Sequence, residues 1–467
     1  MDKEIFTDST DVICAIATAP GVGGIAVARV SGNEAFAVCS RIWHGKDIGQ
    51  MPSHTAHFGT IRSNNDEIID EVVLTVFHGP NSFTGENTVE IAMHGSRWIQ
   101  RKIIDLLIEN GARMALPGEF TRRAFKNGKM DLSEAEAVAD LIASSSRAAH
   151  RVALSQMRGH YSKKINELRD KMIELASLLE LELDFSEEDV EFASRQKLLD
   201  LAKENASVLR KLASGFKTGK AIKDGIPVAI IGHTNVGKSS LMNALMGDDR
   251  AIVSDIHGTT RDIVEDTAEI GDYLIRFKDT AGLRETDDPI ENMGIDRSRN
   301  AASNATVVLY VYDSSTPTSI DEITSELEGI EPQSIIFVEN KCDLPTANEN
   351  LKNIINNTFL GSVHIEVSAR REQNLEELKK LIGRQIEKIN ADINEDSVMV
   401  TNARHAQAMI AAADNLDTVA EGITTLLPPD LIAQDLREAI YNLSSITGAI
   451  TTPQILQSIF SSFCIGK

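Results

Sequence analysis

Cysteine is scarce in this chain. Its 467 residues include four, Cys14, Cys39, Cys342 and Cys464, spaced as neither a disulfide framework nor a metal-ligand set, so a reducing compartment is expected. Long apolar runs are missing as well. None approaches the roughly 18 residues of a membrane span, and the opening MDKEIFTDST is polar and acidic rather than a secretory leader. The expectation is a cytoplasmic protein with no membrane attachment. Positive charge is outnumbered, with 47 Lys and Arg against 69 Asp and Glu and a formal net charge of −22. That balance excludes non-specific coating of nucleic acid, which depends on cations neutralising phosphates. An RNA partner would have to meet local basic patches or be shared with a second protein. No repeat or low-complexity segment is evident.

What is present centres on Ile226 to Ser240, IPVAIIGHTNVGKSS. A short apolar run leads into Gly232-x-x-x-x-Gly237-Lys238-Ser239 and then into a helical pattern. The glycines let successive N–H groups turn inward toward phosphate oxygens, Lys238 adds a point charge, and the Ser239 hydroxyl is placed to ligate Mg²⁺. The helix that follows presents its positive end to the same anion. The alternative, a glycine-rich surface turn, does not account for the strand before it and the helix after it. A nucleoside triphosphate, with Asn235, Val236, Gly237, Lys238, Ser239 and Ser240 around its phosphates, is the expected ligand.

Three further segments follow in order. Asp279-Thr280-Ala281-Gly282 follows YLIRFK, where Asp279 can hold the Mg²⁺ shell and the Gly282 amide can meet the γ-phosphate. SIIFVE reads as a buried strand delivering Asn340-Lys341-Cys342-Asp343, whose Asp343 carboxylate can accept from both the ring N–H and the exocyclic amine of guanine. A pocket built on such bonds rejects adenine strongly, because its polar groups would be left unpaired. Ser368-Ala369-Arg370 fits a loop closing over the base. Four such elements in sequence predict a GTPase domain.

Two details set this domain apart from GTPases that orient the attacking water with a glutamine after Gly282. The residue here is Leu283, and an apolar side chain cannot do that work. Asn235, inside the phosphate loop, is either a loop-bracing amide or, with the run Ser254-Asp255-Ile256-His257-Gly258-Thr259-Thr260, part of an oxygen cage for a monovalent cation. Such a cation would offset transition-state charge as an arginine finger does, worth roughly 10³ to 10⁵ in rate. Thr260 is the natural second hydroxyl ligand to Mg²⁺.

The rest of the chain divides by period. Residues 1–122 alternate short apolar runs with glycine-rich turns around one helical piece, SRWIQRKIIDLLIENGA, which predicts a compact α/β domain with a mainly antiparallel sheet. From Leu132 the spacing becomes helical, opened by a capping box of Ser133 and Glu136, and the same character returns from Asn402 to Ser445. Pro428-Pro429 marks a break between helices. The expected fold is therefore multidomain: an N-terminal α/β domain (1–122), a discontinuous helical bundle (123–220 and 388–467), and a Ras-like P-loop GTPase domain (221–387) inserted into it.

GHTNVGKSS, HGTTRD, DTAGLRETDD and the closing Cys464-Ile465-Gly466-Lys467 resemble the tRNA-modification GTPase family MnmE, also called TrmE, over essentially the whole chain. The resemblance implies a homodimer, K⁺ held by Asn235, Ser254, Ile256 and Thr259, and hydrolysis driven by G-domain dimerisation. It also implies a water-orienting glutamate, matched by Glu291 in Ile290-Glu291-Asn292-Met293-Gly294-Ile295; chemistry alone does not choose between Glu291 and Glu285. The N-terminal domain resembles the family's site for formyl- or methylene-tetrahydrofolate, placing Arg29, Glu90, Lys129 and, from the tail, Lys467 at it. Cys464 matches the family's essential cysteine, with a nucleophilic, acid–base or redox role left open. Gly466, where an aliphatic residue is wanted, and the terminal lysine argue against lipidation of that cysteine. The implied activity, with an FAD-containing partner of the MnmG (GidA) family in a heterotetramer or larger complex, adds a carboxymethylaminomethyl-type group to carbon 5 of the wobble uridine of certain tRNAs. Nothing in the chain looks like a flavin site, which suits a redox half supplied by the partner. Two other classes stand beside this reading: a GTP-gated ribosome or complex assembly factor without tRNA chemistry, and a stand-alone folate-dependent transferase in which GTP only regulates.

Overall fold

The computed structural model describes residues 11–184, 195–247, 266–278, 302–330, 334–389, 398–461 and 463–466. These form two compact units. One comprises the described residues of Met1–Ala139, Gln156–Lys203 and Asp414–Lys467; the other comprises those of Asp140–Ser155 and Glu204–Ala413.

The first unit begins with β1 (Val12–Ile16), β2 (Gly23–Ser31), α1 (Ala35–Ser40), β3 (Trp43–His44), β4 (Thr55–Arg62), β5 (Ile68–Phe77), β6 (Thr88–Gly95), α2 (Arg97–Glu109), β7 (Ala112–Met114) and α3 (Glu119–Lys126). The strands make one sheet in the order β3-β4-β5-β6-β2-β1-β7, antiparallel except where β7 lies parallel to β1. Alternation decides which face is buried, since successive side chains leave a strand on opposite sides. Ala26, Ala28 and Val30 of β2, Leu74 and Val76 of β5, and Val89 and Ile91 of β6 share a core with Ile103, Leu106 and Leu107 of α2. The intervening residues stand on the opposite face. Val27, Ala92, Val73 and Phe58 line up there across four strands, and Arg29 lies opposite Glu90. Phe58 is 70 % exposed and Ile25 72 %, so this side of the sheet is apolar yet open.

Helices α4 (Leu132–Ala143), α5 (Arg147–Met157), α6 (His160–Asp184), α7 (Arg195–Ser214) and α8 (Phe216–Asp224) follow. The expected capping box at Ser133 and Glu136 is shifted by two residues. Asp131 accepts from the Glu134 amide through Oδ1, and Glu134 reaches back to the Asp131 amide, the reciprocal pattern that satisfies two orphan donors. Ser133 instead donates to Asp131 and contacts the Ser162 hydroxyl. The helix simply starts earlier than its serine.

The second unit contains β8 (Ile226–Ile231), α9 (Lys238–Met246), β9 (Asp266–Ile270), β10 (Tyr273–Lys278), β11 (Val307–Asp313), α10 (Ile320–Glu326), β12 (Ile335–Asn340), α11 (Leu351–Thr358), β13 (Val363–Glu366) and α12 (Leu375–Ile389). The sheet runs β13-β12-β11-β8-β10-β9, parallel throughout except for the edge strand β9. Both β11 and β12 are buried at every position, as a parallel strand covered on two sides requires. Leu241, Leu245, Leu378 and Ile382 cover one face; Ile323, Ile355 and Phe359 cover the other. The chain leaves β8 with β10 on one side and β11 on the other. That reversal of strand order opens a crevice at the carboxyl ends of the strands, where ligands of such sheets bind.

The chain closes with α13 (Ala403–Thr424), α14 (Pro429–Thr447) and α15 (Pro453–Ser461). Pro429 starts α14, where a missing N–H costs nothing, so the expected break at Pro428-Pro429 falls between α13 and α14. In the first unit α14 packs along α6. Among the described residues, no helix is long and apolar enough to cross a membrane.

Candidate functional site

The loop from β8 to α9 is shaped by its glycines. Gly232 has φ 136° and Gly237 φ 96°, values that L side chains rarely adopt. A Cβ at Gly232 would collide with the Val311 carbonyl, and one at Gly237 with the Asn340 side-chain amide. The loop is thus pressed against both β11 and the end of β12. Gly237 caps α9, which begins at Lys238 and turns its amides toward the crevice. The Lys238 ammonium donates to the carbonyls of Gly232 and His233 at 2.7 and 2.6 Å. Burial holds its pKa below the usual lysine value, against the attraction of Glu326. A cation so desolvated gains from a phosphate partner, so the cradle fits a polyphosphate.

Asn340, at the end of β12, joins three loops. Its Nδ2 donates to the Val236 carbonyl at 2.8 Å, and its Oδ1 accepts from the Ala369 amide at 3.1 Å. Lys341 supplies a second brace through donation to the Asn235 carbonyl at 2.9 Å and to Asp313 Oδ2 at 2.6 Å. Asn235 itself is left-handed at φ 64° and exposed. Lys341 therefore braces the loop through the Asn235 backbone carbonyl. Asp313 was not singled out in the sequence; the cue was its place at the end of the apolar run VVLYVYD.

Asp343 accepts from the Ser368 hydroxyl at 2.7 Å, and the Arg371 guanidinium lies 3.3 Å from its other oxygen. The Ser368 hydrogen bond, reinforced by Arg371 and Arg370, holds its carboxyl below the usual aspartate range. The Ser368 backbone is fixed by bonds in both directions with Gln373. Asp343, Ser368 and Ala369 are thus gathered at one end of the sheet beside the phosphate loop, with Arg370 exposed next to them. Arg371 is an additional neighbour that no sequence pattern marked.

In the first unit Arg29 and Glu90 pair with each other across β2 and β6, at 2.9 Å from Nε and 2.8 Å from Nη2. The Arg29 guanidinium lies 5.5 and 5.7 Å from the ring centres of Phe83 and Phe120. Lys129 donates to the Pro80 carbonyl at 2.9 Å. The tail comes to the same end of this domain. The Cys464 carbonyl accepts from the Gly118 amide at 3.4 Å, and a Cβ at Gly466 would collide with the Ile16 carbonyl at the end of β1. Gly118, at φ 64°, has no room for a side chain because the Phe460 carbonyl and Phe463 lie against it. Cys464 is exposed. Beneath this turn Glu119 is buried and bonded to Arg113 through both oxygens, at 2.8 and 2.5 Å, with the Leu116 amide and Arg123 adding to them.

A set of expected site residues falls outside the described residues: Ser254, Asp255, Ile256, His257, Gly258, Thr259, Thr260, Asp279, Thr280, Ala281, Gly282, Glu285, Glu291 and Lys467.

A glycine-shaped loop between β8 and α9, bonded to the loops after β12 and β13 at the carboxyl end of a parallel sheet whose strand order reverses at β8, defines a P-loop GTPase of the Ras-like fold. Family comparison narrows the class. The model of the TrmE N-terminal domain, described as a GTP-binding protein, matches residues 12–129, and that of the MnmE helical domain matches residues 132–464. A Parabacteroides distasonis protein named tRNA modification GTPase MnmE is 50 % identical over 465 residues, covering 97 % of this chain and 99 % of its own length. The proteins of that name from Bacteroides thetaiotaomicron and Porphyromonas gingivalis are 48 % and 50 % identical, each covering 98 % of this chain and 99 % and 98 % of their own lengths. The chain belongs to the MnmE (TrmE) family. The G domain of the T. maritima FeoB iron transporter aligns with 34 % of the chain at 24 % identity and a TM-score of 0.25, too slight a likeness to bear on the fold.

Proposed function

We propose that this protein is a cytoplasmic, K⁺-dependent GTPase that takes part in modifying carbon 5 of the wobble uridine of certain tRNAs. It acts as a homodimer with an FAD-containing partner of the MnmG (GidA) family, and the group added is of the carboxymethylaminomethyl type. The observation that carries the reading is the full-length likeness, at 48–50 % identity, to proteins named tRNA modification GTPase. The domain plan proposed with it is 1–122 for folate binding and dimerisation, 123–220 and 388–467 for the helical bundle, and 221–387 for GTP hydrolysis.

In this reading Lys238 and the amides from Asn235 to Ser240 hold the phosphates, while Asp343, Ser368, Ala369 and Arg370 enclose guanine. Ser239 and Thr260 would hold Mg²⁺, which supplies charge neutralisation at the β- and γ-phosphates. The left-handed Asn235, with its carbonyl tied to Lys341, leaves its side chain at the rim of the loop, a donor suited with Ser254, Ile256 and Thr259 to K⁺. Glu291 orients the attacking water in place of the absent glutamine. In the N-terminal domain the Arg29–Glu90 pair and the rings of Phe83 and Phe120 suit a flat heterocycle with an amidine-like edge, and Lys129 and Lys467 suit its carboxylates. Tetrahydrofolate carrying a formyl or methylene group would supply the carbon there. The tail turn at Gly118 presents Cys464 beside that end of the sheet. The open apolar face around Phe58, Val73 and Ile25 suits burial against a second copy.

The test is hydrolysis by the purified chain. GTP should be cleaved and ATP not, with a rate in K⁺ far above that in Na⁺. Glu291→Ala should retain GTP affinity and lose turnover. Equal rates in the two salts would remove the K⁺ assignment, and loss of turnover in Glu285→Ala alone would move the water-orienting role to that residue.

A further inference from the structure

Outside the nucleotide crevice, one group of side chains among the described residues has the makings of a metal centre. β12 and β13 are parallel neighbours with Glu339 opposite Glu366, and His364 lies two residues before Glu366, on the same face of its strand. One ligand-capable atom from each of Glu339, His364 and Glu366 lies within 4.8 Å of the other two. His364 is almost enclosed, its side chain 3 % exposed, yet its buried Nδ1 has no hydrogen-bond partner. The other nitrogen, Nε2, lies 2.6 Å from the Tyr312 hydroxyl, which donates to Glu339 Oε2 at 3.1 Å. Nε2 also lies 3.5 Å from Glu339 Oε2, so it is the ring nitrogen that faces the carboxylate, and the rotatable Tyr312 hydroxyl sits between the two.

We propose that Glu339, His364 and Glu366 form a divalent-metal site at the edge of the GTPase sheet, one residue from the guanine-loop anchor Asn340. An imidazole nitrogen with two carboxylate oxygens suits a borderline ion such as Zn²⁺ and leaves a coordination position open. Zinc holds such donors at about 2.0–2.2 Å, so the three must draw together by roughly an ångström. Glu366 is 52 % exposed and free to swing inward. Lys352, whose ammonium lies 3.3 Å from Glu366, is the charge the ion would displace. The bound ion would tie β13 to β12 directly behind Asn340.

The experiment is titration of metal-stripped full-length protein with Zn²⁺ in competition with a chromophoric chelator. Cys342→Ser and Cys464→Ser are included as background so that exposed thiols do not take the metal. One Zn²⁺ per chain is expected, bound at least ten-fold more weakly in His364→Asn and Glu366→Gln, and more tightly in Lys352→Ala. Glu366→Gln alters a half-exposed side chain, so the test stands even if His364→Asn does not fold. Absence of stoichiometric Zn²⁺, or equal affinity in wild type and Glu366→Gln, overturns the proposal. Either result leaves the GTPase reading untouched, because none of the three residues is placed in the nucleotide site.

Discussion

Replacing Asn340 with alanine should loosen the guanine and phosphate loops together. The side chain is 2 % exposed as a residue and makes two bonds, one donated to the Val236 carbonyl and one accepted from the Ala369 amide. Alanine removes both and leaves a buried carbonyl and a buried amide without partners. Each such group costs about 1–3 kcal/mol, so the expected loss is about 2–6 kcal/mol of local stability. Hydrogen exchange read by mass spectrometry on peptides from β8, β12 and the Ser368 loop would detect it. At about 1.4 kcal/mol per factor of ten, exchange there should accelerate by about 30-fold to about 20,000-fold. Asn340→Asp keeps an acceptor for the Ala369 amide but sets a buried carboxylate oxygen against the Val236 carbonyl, so its effect should be at least as large as that of alanine. GTP affinity should fall in the same order. If Asn340→Ala exchanges within about two-fold of wild type in all three segments, the claim that one amide holds them together is wrong.

Other outcomes follow from the same geometry. Gly232→Ala should abolish nucleotide binding, because its φ of 136° and the Val311 carbonyl leave no place for a methyl group; a variant that binds GTP normally would show that the cradle is not as tight as described. Glu119→Gln should destabilise the first unit at neutral pH by about 3 kcal/mol, as breaking a buried ion pair does. Burial alone would raise this carboxyl's pKa, but Arg113, the Leu116 amide and Arg123 outweigh it and hold the group below its usual 4.5. A depressed folded-state pKa contributes stability above the unfolded value that is lost as pH falls through the folded one. The gap between wild type and variant in thermal unfolding should therefore be full above pH 4.5 and close in more acidic solution; a gap independent of pH would refute the ion-pair account. Gly118→Ala should unseat the tail and speed alkylation of Cys464, measured by mass spectrometry of the C-terminal peptide, while leaving GTP binding unchanged.

The parts of the molecule legible in the sequence are those where local pattern and chemistry coincide. The phosphate loop could be read because Gly232, Gly237 and Lys238 sit between an apolar strand and a helix, and Asp343 because it leaves a buried strand. The bonds that unite these loops were not legible. Lys341 reaching Asn235 and Asp313 depends on β11 and β12 being neighbours, a fact of topology rather than spacing. The cross-strand register that pairs Arg29 with Glu90 is likewise set by the whole sheet. In the N-terminal domain no residue pattern points to a ligand without the family resemblance, since Glu90 alone reads as a strand charge. The capping box was displaced because Asp131 and Ser133 each precede a glutamate by three residues, and only backbone geometry separates them.

Nucleoside mass spectrometry of tRNA bears most directly on the central claim. A strain lacking this gene would be complemented with the wild type or with Cys464→Ser. The modified wobble uridine should be lost in the deletion strain and should return with the wild type alone. Normal wobble uridine in the deletion strain would contradict a role in tRNA modification, leaving a GTPase that serves another process.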